Sequence, residues 1–456
     1  MATTSPSPST AATTTHPATA DAPSFFSVPK RVPIPPRGVD YRNKIVLAPM
    51  VRSGELPMRL LSLHYGADLV WGPETVDRAL IGCTTRTNPR TGMLEFTRVP
   101  SNSQSASSCT QESVIYRIDP VREAGKLIFQ LGTADPDRAV AAARIVAPHV
   151  AGIDVNAGCP KPFSTSGGMG AALLKTPDTL VGILKALVAD IVPTYQIGVS
   201  VKIRILETPA ETEALVRRLV GTGITGLTVH CRTTPMRPRE RAIRGQLGMI
   251  VRVCREAGVA CVMNGDVESR EDGLRLMGEF GADGAMIATS AEKNPSCFAA
   301  MGQQQRAPWE EVARRYLGYA VEVENKFSNS KFSLSQLIPG KAPAARAVHG
   351  AKGYGQLVEV LGMEGDKELV RRAEEVDRVL GIGRFLAPPE AKKKNKQNGV
   401  LEGDQNQAGK KRKREDGGDE DGKGGRKKPV TEVSVGVAEV EGISQGVTMD
   451  KAAVAV

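Results

Sequence analysis

The sequence has few aromatic residues: Phe, Trp and Tyr together make up 4% of its 456 residues. This low content argues against an aromatic-rich β-sandwich or a surface built for stacking. No stretch of 18 uncharged apolar residues occurs, so we expect no transmembrane helix. The seven cysteines are scattered, with no CxxC pair and no His-spaced cluster. That pattern argues against a disulfide framework or a structural zinc site, predicts no metal, and fits a reducing compartment.

What is present is an apolar fraction of 41%, enough for a large core, and a formal net charge of +10. Most of the positive excess lies in the middle of the chain rather than in its ends. Such a charge favours a polyanionic partner such as nucleic acid, although many cationic proteins bind none.

Both ends have compositions typical of disorder. Residues 1–38 are rich in Ser, Thr, Ala and Pro and lack the charged and apolar regions of a secretory signal. Residues 386–456 alternate basic blocks with acidic residues and glycine, a composition that buries too little apolar surface to fold. The basic run Lys410–Arg414 is either a nuclear localisation patch or part of a solvated tail. We expect the protein in the cytoplasm, the nucleus or both.

Eight short apolar runs bounded by turn residues recur between positions 44 and 288 and predict strands. They are Lys44–Met50, Ala67–Gly72, Leu127–Gly132, Gly152–Asn156, Val199–Ile205, Gly226–His230, Val259–Asn264 and Gly284–Ala288.

Segments with helical periodicity separate most of these runs. The clearest are Leu56–Tyr65, Asp135–Val146, Pro177–Ala189, Ala210–Val220, Leu247–Glu256 and Arg270–Phe280. Eight strand–helix units over about 250 residues predict an α/β fold of the TIM (β/α)8 barrel type, with residues 39–305 as its domain. A doubly wound sheet is the alternative, but Ala48-Pro49-Met50 stands where its Gly-rich turn would be.

After the barrel, helical patterns over Trp309–Tyr319, Glu322–Leu337, Gly355–Gly362 and Lys367–Leu380 predict a small all-α domain at residues 306–385. Arg314, Arg315, Lys326 and Lys331 give it basic faces, which suit RNA contact or simple solvation.

Polar side chains collect where the predicted strands end. A lone polar residue at a strand end is most often structural, but five successive strands carry one, and the active sites of TIM barrels lie at this rim. The Asn264-Gly265-Asp266 turn also suits an anion, because glycine lets backbone N–H groups approach a phosphate. The remaining rim residues are Gln130, Asn156, Cys159, Lys202, Arg204 and His230.

Cys159 stands out among the cysteines. It follows the fourth strand in Asn-Ala-Gly-Cys-Pro-Lys, and Gly167-Gly168-Met169-Gly170 comes soon after it. A thiol between a strand end and a Gly-rich stretch suits a mobile catalytic loop, although most cysteines are buried packing residues.

Taken together, these segments resemble the tRNA-dihydrouridine synthases, and within them the eukaryotic type that acts on position 20. The resemblance covers roughly residues 40–370. It implies FMN at the barrel mouth, NADPH as reductant, tRNA as partner, and reduction of the uridine C5–C6 double bond. The matching segments are KIVLAPMVRSGELP (44–57), FQLGT (129–133), DVNAGCPKPFSTSGGMGAALL (154–174), VKIR (201–204), VHCRT (229–233) and NGD (264–266).

The resemblance also implies roles for individual residues. Pro49, Met50 and Val51 would line the flavin, Gln130 and Lys202 would bind the edge of its ring system, and His230 would face the flavin or its phosphate. The phosphate itself would lie against Asn264, Gly265, Asp266, Ala288 and Thr289. Family members often carry arginine where Thr289 stands, so backbone donors would have to serve there.

The implied reaction adds a hydride from reduced FMN to uracil C6 and a proton to C5. We assign the proton to Cys159, because a thiol with an ordinary pKa near 8.5 is protonated at neutral pH. The target base must leave its stack to reach the barrel mouth. The segment 325–331 resembles the family's tRNA-contacting helical region, so we expect Lys326 and Lys331 to contact tRNA.

Two alternatives stay open. One is an FMN-dependent dehydrogenase of free pyrimidines, and the other is a tRNA-binding protein without activity. The oligomeric state is not fixed by the sequence, which is compatible with a monomer.

Overall fold

The computed structural model describes residues 1–2, 31–99, 112–237, 239–300 and 306–386. The predicted disordered ends lie mostly outside these residues, and the basic run 410–414 lies wholly outside them.

Twelve strands occur in the described part. In chain order they are β1 (Lys44–Leu47), β2 (Leu69–Trp71), β3 (Thr75–Val76), β4 (Thr84–Thr87), β5 (Leu94–Arg98), β6 (Ser113–Ile118), β7 (Leu127–Gly132), β8 (Gly152–Ala157), β9 (Gly198–Arg204), β10 (Gly226–His230), β11 (Ala260–Asn264) and β12 (Gly284–Ile287).

The helices of the same residues lie between and after these strands. They are α1 (Leu56–His64), α2 (Asp77–Leu80), α3 (Pro136–Val146), α4 (Pro162–Thr165), α5 (Pro177–Tyr195), α6 (Pro209–Val220), α7 (Leu247–Ala257), α8 (Arg270–Phe280), α9 (Thr289–Lys293), α10 (Trp309–Glu322), α11 (Phe327–Leu337), α12 (Pro343–Gly350), α13 (Tyr354–Val360) and α14 (Lys367–Leu380).

Eight parallel strands form a closed barrel in the order β2-β1-β12-β11-β10-β9-β8-β7. The ring closes where β2 pairs with β7, with Val70 opposite Leu127 and Trp71 opposite Ile128. The closure confirms the TIM-barrel prediction and excludes the open doubly wound sheet. All eight predicted apolar runs contain a barrel strand. Because the strands are parallel, their carboxyl ends meet at one rim.

Local sequence signals place the barrel helices. Helix α6 begins with a capping box, in which the Thr208 hydroxyl accepts from the Glu211 N–H and the Glu211 carboxylate reaches back to Thr208. The Asp135 carboxylate caps α3 by accepting from the Arg138 N–H. Helix α5 continues to Tyr195, past its predicted end at Ala189.

An antiparallel sheet of β4, β5 and β6 lies between β2 and β7 in the chain and was not predicted. Its buried Glu95 receives hydrogen bonds from Arg117 and Asn88. The sheet is tied to the helical segment, because Arg90 forms an ion pair with Glu324 at 2.5 Å.

The helical segment departs from the prediction in two places. The prediction of a single helix over residues 322–337 was wrong, because α10 ends at Glu322 and α11 starts at Phe327. Glu324 adopts a φ of 51°, which no right-handed helix accommodates, and its carboxylate pairs with Arg90. Helix α12 was missed altogether.

The two largest of four hydrophobic clusters in the described residues organise these elements. The larger fills the space between barrel and outer helices. The second is built by α10–α14, yet it includes Met58 and Leu61 from α1, a helix of the barrel. Beside them Arg59, also in α1, is fully buried and pairs with Glu123 at 2.6 Å. Leu63 of the same helix packs against the larger core, so α1 contacts both cores. None of the helices in the described residues is long and apolar enough to cross a membrane.

Candidate active site

Strand register stacks the polar residues of the barrel interior in layers. Residues that alternate along a strand share a face, so the inward side chains of neighbouring strands meet at the same height. Asp154 lies opposite Ser200, and one layer nearer the rim Asn156 lies opposite Lys202. These four residues are the polar centre of the barrel.

The layer at the rim itself brings together residues from three strands. His230 lies opposite both Arg204 on β9 and Asn264 on β11. The Asn264 amide donates to the Met286 carbonyl at 2.9 Å, which fixes its orientation.

Asp154 is fully buried and accepts two side-chain hydrogen bonds. The Gln130 amide donates at 2.8 Å and the Ser200 hydroxyl at 2.7 Å. Burial raises the pKa of Asp154 to about 6, although both donors and Lys202 pull it down. Asp154 thereby holds Gln130, one of the predicted flavin-binding residues, in a single orientation.

Lys202 is the central cation of the site. Burial and, to a smaller extent, the charge of Arg204 lower its pKa to about 8, while Asp154 opposes both. A pKa near 8 still leaves most of the ammonium protonated at neutral pH.

His230 is a neutral imidazole. Its pKa falls to about 2, first because of burial and then because Lys202, Arg204 and Arg232 surround it with positive charge. Its Nε2 lies 3.1 Å from Nη1 of Arg232. Since a guanidinium only donates, Nε2 accepts and the ring proton sits on Nδ1.

The turn after β11 is lined by arginines. Asp266 forms an ion pair with Arg232 and accepts from the Ala242 N–H at 2.7 Å. Arg244 donates to the carbonyls of Gly265 and Asp266 at 3.0 and 2.9 Å. The Nε of Arg244 is buried without a hydrogen-bond partner among the described residues. An orphaned buried guanidinium N–H is costly, and an anion at this turn would satisfy it.

Glycine is required at the centre of that turn. Gly265 has a φ of 117°, and a Cβ there would lie 3.1 Å from Ala242 Cβ and 3.3 Å from His230 Cδ2. A side chain at this position would therefore be strained and would crowd His230.

The other predicted rim residues follow β1 and β12, which are neighbours in the barrel. Pro49 and Met50 are half-buried and Val51 is exposed after β1, whereas Ala288 is half-buried and Thr289 exposed after β12. All of them lie at the same end as Lys202 and His230.

Cys159 sits half-buried on a turn shaped by Asn156, whose side-chain oxygen accepts from the N–H groups of Gly158 and Cys159 at 2.9 and 3.0 Å. Arg204 donates from Nε to the Gly158 carbonyl at 2.8 Å. Burial is the largest factor that raises the pKa of the Cys159 thiol, so the thiol is protonated at neutral pH.

Lys326 and Lys331 lie on or beside α11, next to the mouth. Helix α11 packs against the loop after β1, where Asn329 donates to Glu55 at 2.8 Å. Lys326 is exposed, but the ammonium of Lys331 donates to the Ala351 carbonyl at 3.0 Å and so is partly occupied within the helical segment.

Three site residues were missed from the sequence: Glu74, Arg232 and Arg244. Arg232 follows His230 by two positions within the VHCRT segment, so its place near the rim was detectable. Arg244 is far from any strand end, and Glu74 lies in a Gly-Pro-Glu turn after β2. No sequence pattern around Arg244 or Glu74 predicts the contacts that their side chains make.

A closed parallel barrel whose rim presents a cationic lysine, a neutral histidine, an arginine-lined turn and a protonated thiol is the arrangement of a TIM-barrel enzyme. The family model "Dihydrouridine synthase (Dus)" matches residues 46–337, which is more than half of the chain. The chain belongs to the dihydrouridine synthase family.

Curated relatives agree with that assignment. The chain is 48% identical over 331 residues to tRNA-dihydrouridine(20) synthase (NAD(P)+) of Schizosaccharomyces pombe, covering 72% of this chain and 66% of that protein. It is 43% identical to the Saccharomyces cerevisiae protein of the same name, covering 67% of this chain and 79% of the relative. Identity to the tRNA-dihydrouridine(20a/20b) synthase of S. pombe is 29%, over 62% of this chain and 75% of that protein. The chain thus spans 66–79% of these relatives.

Proposed function

We propose that the protein reduces the C5–C6 double bond of uridine at position 20 of tRNA to dihydrouridine. The observation that carries this proposal is the protonated Cys159 thiol, held on its turn by Asn156 and Arg204 at the rim of a barrel of this family. The choice of position 20 is supported by identities of 48% and 43% to synthases named for that position, against 29% for a 20a/20b synthase.

The residues at the rim suit FMN. The orphaned Arg244 N–H and the glycine turn at Gly265 would accept its phosphate, with Arg232 adding positive charge. Arg232 and Arg244 would thus provide the positive charge that other family members often obtain from an arginine at the position of Thr289. Gln130, locked by Asp154, and Lys202 would bind the ring system, and Pro49, Met50 and Val51 would border it. Bound FMN supplies hydride chemistry, and we propose NADPH as its reductant.

The side chains of the protein then have distinct tasks. Lys202 places a positive charge in the barrel, where it stabilises negative charge that develops on a bound ring. Neutral His230 offers Nδ1–H as a donor without adding charge. Cys159 donates the proton to uracil C5, because its raised pKa keeps the hydrogen on sulfur until a carbanion-like centre approaches.

Binding of tRNA would use α11 beside the mouth. Exposed Lys326 supplies a phosphate contact, and the target base must flip from its stack to reach Cys159.

The test is incubation of the purified protein with FMN, NADPH and an unmodified tRNA transcript, followed by mapping of dihydrouridine. We expect product at position 20 and none in a matched transcript with cytidine at that position. Reduction of free uridine or uracil but not of tRNA would establish the free-pyrimidine dehydrogenase instead. Tight tRNA binding with no bound flavin and no product would establish the inactive binding protein.

A further inference from the structure

Glu74 links the end of β2 to the loop that carries Cys159. Its Oε1 accepts a hydrogen bond of 2.7 Å from the hydroxyl of Ser164, a fully buried residue of α4, five positions after Cys159. The Glu74 side chain thus reaches from one barrel strand to the catalytic loop of another.

The second carboxylate oxygen of Glu74 is not engaged by Ser164. Its Oε2 is buried and has no hydrogen-bond partner of good geometry among the described residues. The side chains of Cys159 and Asn156 lie close enough to act on the charge of Glu74. Burial raises the pKa of Glu74, whereas Ser164, Cys159 and Asn156 each favour its ionised form.

Space for this carboxylate is reserved by Gly132 at the end of β7. A Cβ at that position would lie 2.6 Å from Glu74 Oε1, far inside van der Waals contact. No residue other than glycine leaves the carboxylate where it is.

We propose that Glu74 is the positioning residue for Cys159: its carboxylate accepts the thiol hydrogen, orients it and keeps it on sulfur between turnovers. The use of that hydrogen in proton donation rests on the proposed function. In the donation step the S–H bond breaks as the C5–H bond forms, and the thiolate afterwards takes a proton from water.

Besides burial, which is the largest factor, charged and polar groups from three parts of the chain act on the pKa of the thiol. Lys202 and Arg204 on β9 favour the thiolate, as does the Lys161 N–H on the catalytic loop. Glu74 opposes them by charge and by hydrogen bonding. Removing the Glu74 charge therefore leaves burial alone to oppose the two cations, and the pKa of the thiol should fall.

The test measures the alkylation rate of Cys159 by iodoacetamide across a pH series, in the FMN-loaded protein, with the modified peptide quantified by mass spectrometry. We expect the midpoint for the parent protein above the ordinary thiol value of about 8.5. Glu74→Gln preserves the shape of the side chain but removes its charge. It should lower the midpoint of alkylation by about one pH unit, which is equivalent to tenfold more thiolate below the midpoint. Glu74→Asp retains the negative charge on a shorter side chain, and its alkylation midpoint should lie between those of the parent and Glu74→Gln. Glu207→Gln, an exposed carboxylate after β9, is the control and should match the parent.

The proposal is overturned if the parent midpoint is ordinary, or if Glu74→Gln retains FMN but leaves the midpoint unchanged. Alkylation requires neither tRNA nor NADPH, so this result is independent of the proposed reaction. If the reaction is as proposed, the alkaline limb of tRNA-dependent flavin oxidation also moves to lower pH in Glu74→Gln. A shifted alkylation midpoint in a protein that makes no dihydrouridine would support the thiol contact and refute only the reaction.

Discussion

The Gln130 amide donates a 2.8 Å hydrogen bond to the carboxylate of Asp154 in the interior of the barrel. Each residue constrains the other. Asp154 fixes which way the amide points, and Gln130 helps to stabilise a charge that the barrel interior disfavours. One Gln130 N–H is used in this bond, so its oxygen and second N–H are the groups that can bind a ligand.

The buried carboxyl of Asp154 should make stability depend on pH. Its folded pKa of about 6 lies above its ordinary value of 3.8, so the folded state binds the proton more tightly between those values. The stabilisation is fully present below about pH 4 and is lost as pH rises through 6. We expect the parent to lose about 3 kcal/mol of unfolding free energy relative to Asp154→Asn over that window.

Urea unfolding of the flavin-free proteins at pH 4 to 7 measures this difference. Asp178→Asn, which alters an exposed carboxylate, is the control and should follow the parent. If the free energies of unfolding of the parent and Asp154→Asn change in parallel with pH, Asp154 is not protonated preferentially in the folded state.

Cys159→Ala should keep FMN, its reduction by NADPH and tRNA binding, since none of these needs the thiol. Reoxidation of the reduced flavin by unmodified tRNA should slow by roughly 10²–10⁴-fold, the usual contribution of a general acid. Cys159→Ser should also be slow, because a hydroxyl is a much weaker acid. Anaerobic single-turnover kinetics provide the measurement, with Cys83→Ala, a half-buried thiol in the loop between α2 and β4, as the control. Reoxidation of Cys159→Ala at the parent rate would assign the proton to another group.

Arg244→Met should weaken FMN binding by roughly 10–100-fold, the effect of losing a hydrogen bond to a charged group. Riboflavin, which lacks the phosphate, should bind the variant and the parent equally. Flavin fluorescence titration distinguishes the two ligands, and Arg239→Met, an exposed arginine of the same loop, is the control. Equal losses for FMN and riboflavin would indicate that Arg244 supports the barrel rather than the phosphate.

Lys326 and Lys331 should behave differently, because only Lys326 is exposed while the Lys331 ammonium is bonded to Ala351. Lys326→Ala should weaken tRNA binding and reduce the slope of log affinity against log salt by about one. Lys331→Ala should lower the melting temperature more than the salt slope. Filter binding over a salt series and thermal unfolding measure the two effects, with exposed Lys367→Ala as the control. An unchanged slope for Lys326→Ala would remove this surface from the RNA interface.

The barrel was predictable because each of its strands is a buried apolar run, and apolar runs are visible in a sequence. The sheet β4–β6 was not, since β4 is fully exposed and reads Thr-Thr-Arg-Thr, with no alternation to detect. The break between α10 and α11 was also hidden, because it falls at a left-handed Glu324 and not at a glycine or proline, the residues that signal a helix end.

The site residues also divide into those that the sequence reveals and those that it does not. Gln130, Lys202, His230 and Asn264 were found because they end or occupy strands that converge at one rim. Arg244 and Glu74 act through side chains that cross from one loop to another, and such contacts are set by the packed barrel rather than by neighbours in sequence.

The contact of helix α1 with the C-terminal helices affects how the protein folds during its synthesis. Met58 and Leu61 leave the ribosome early, but the helices that cover them begin roughly 250 residues later, at Trp309. At about 5–20 residues per second, this part of the nascent chain waits roughly 12 to 50 seconds for its partners. The barrel can close during that interval while one of its own helices still presents an apolar face. A chaperone that binds exposed apolar helices would therefore meet this protein at α1, and release would coincide with synthesis of the last helices.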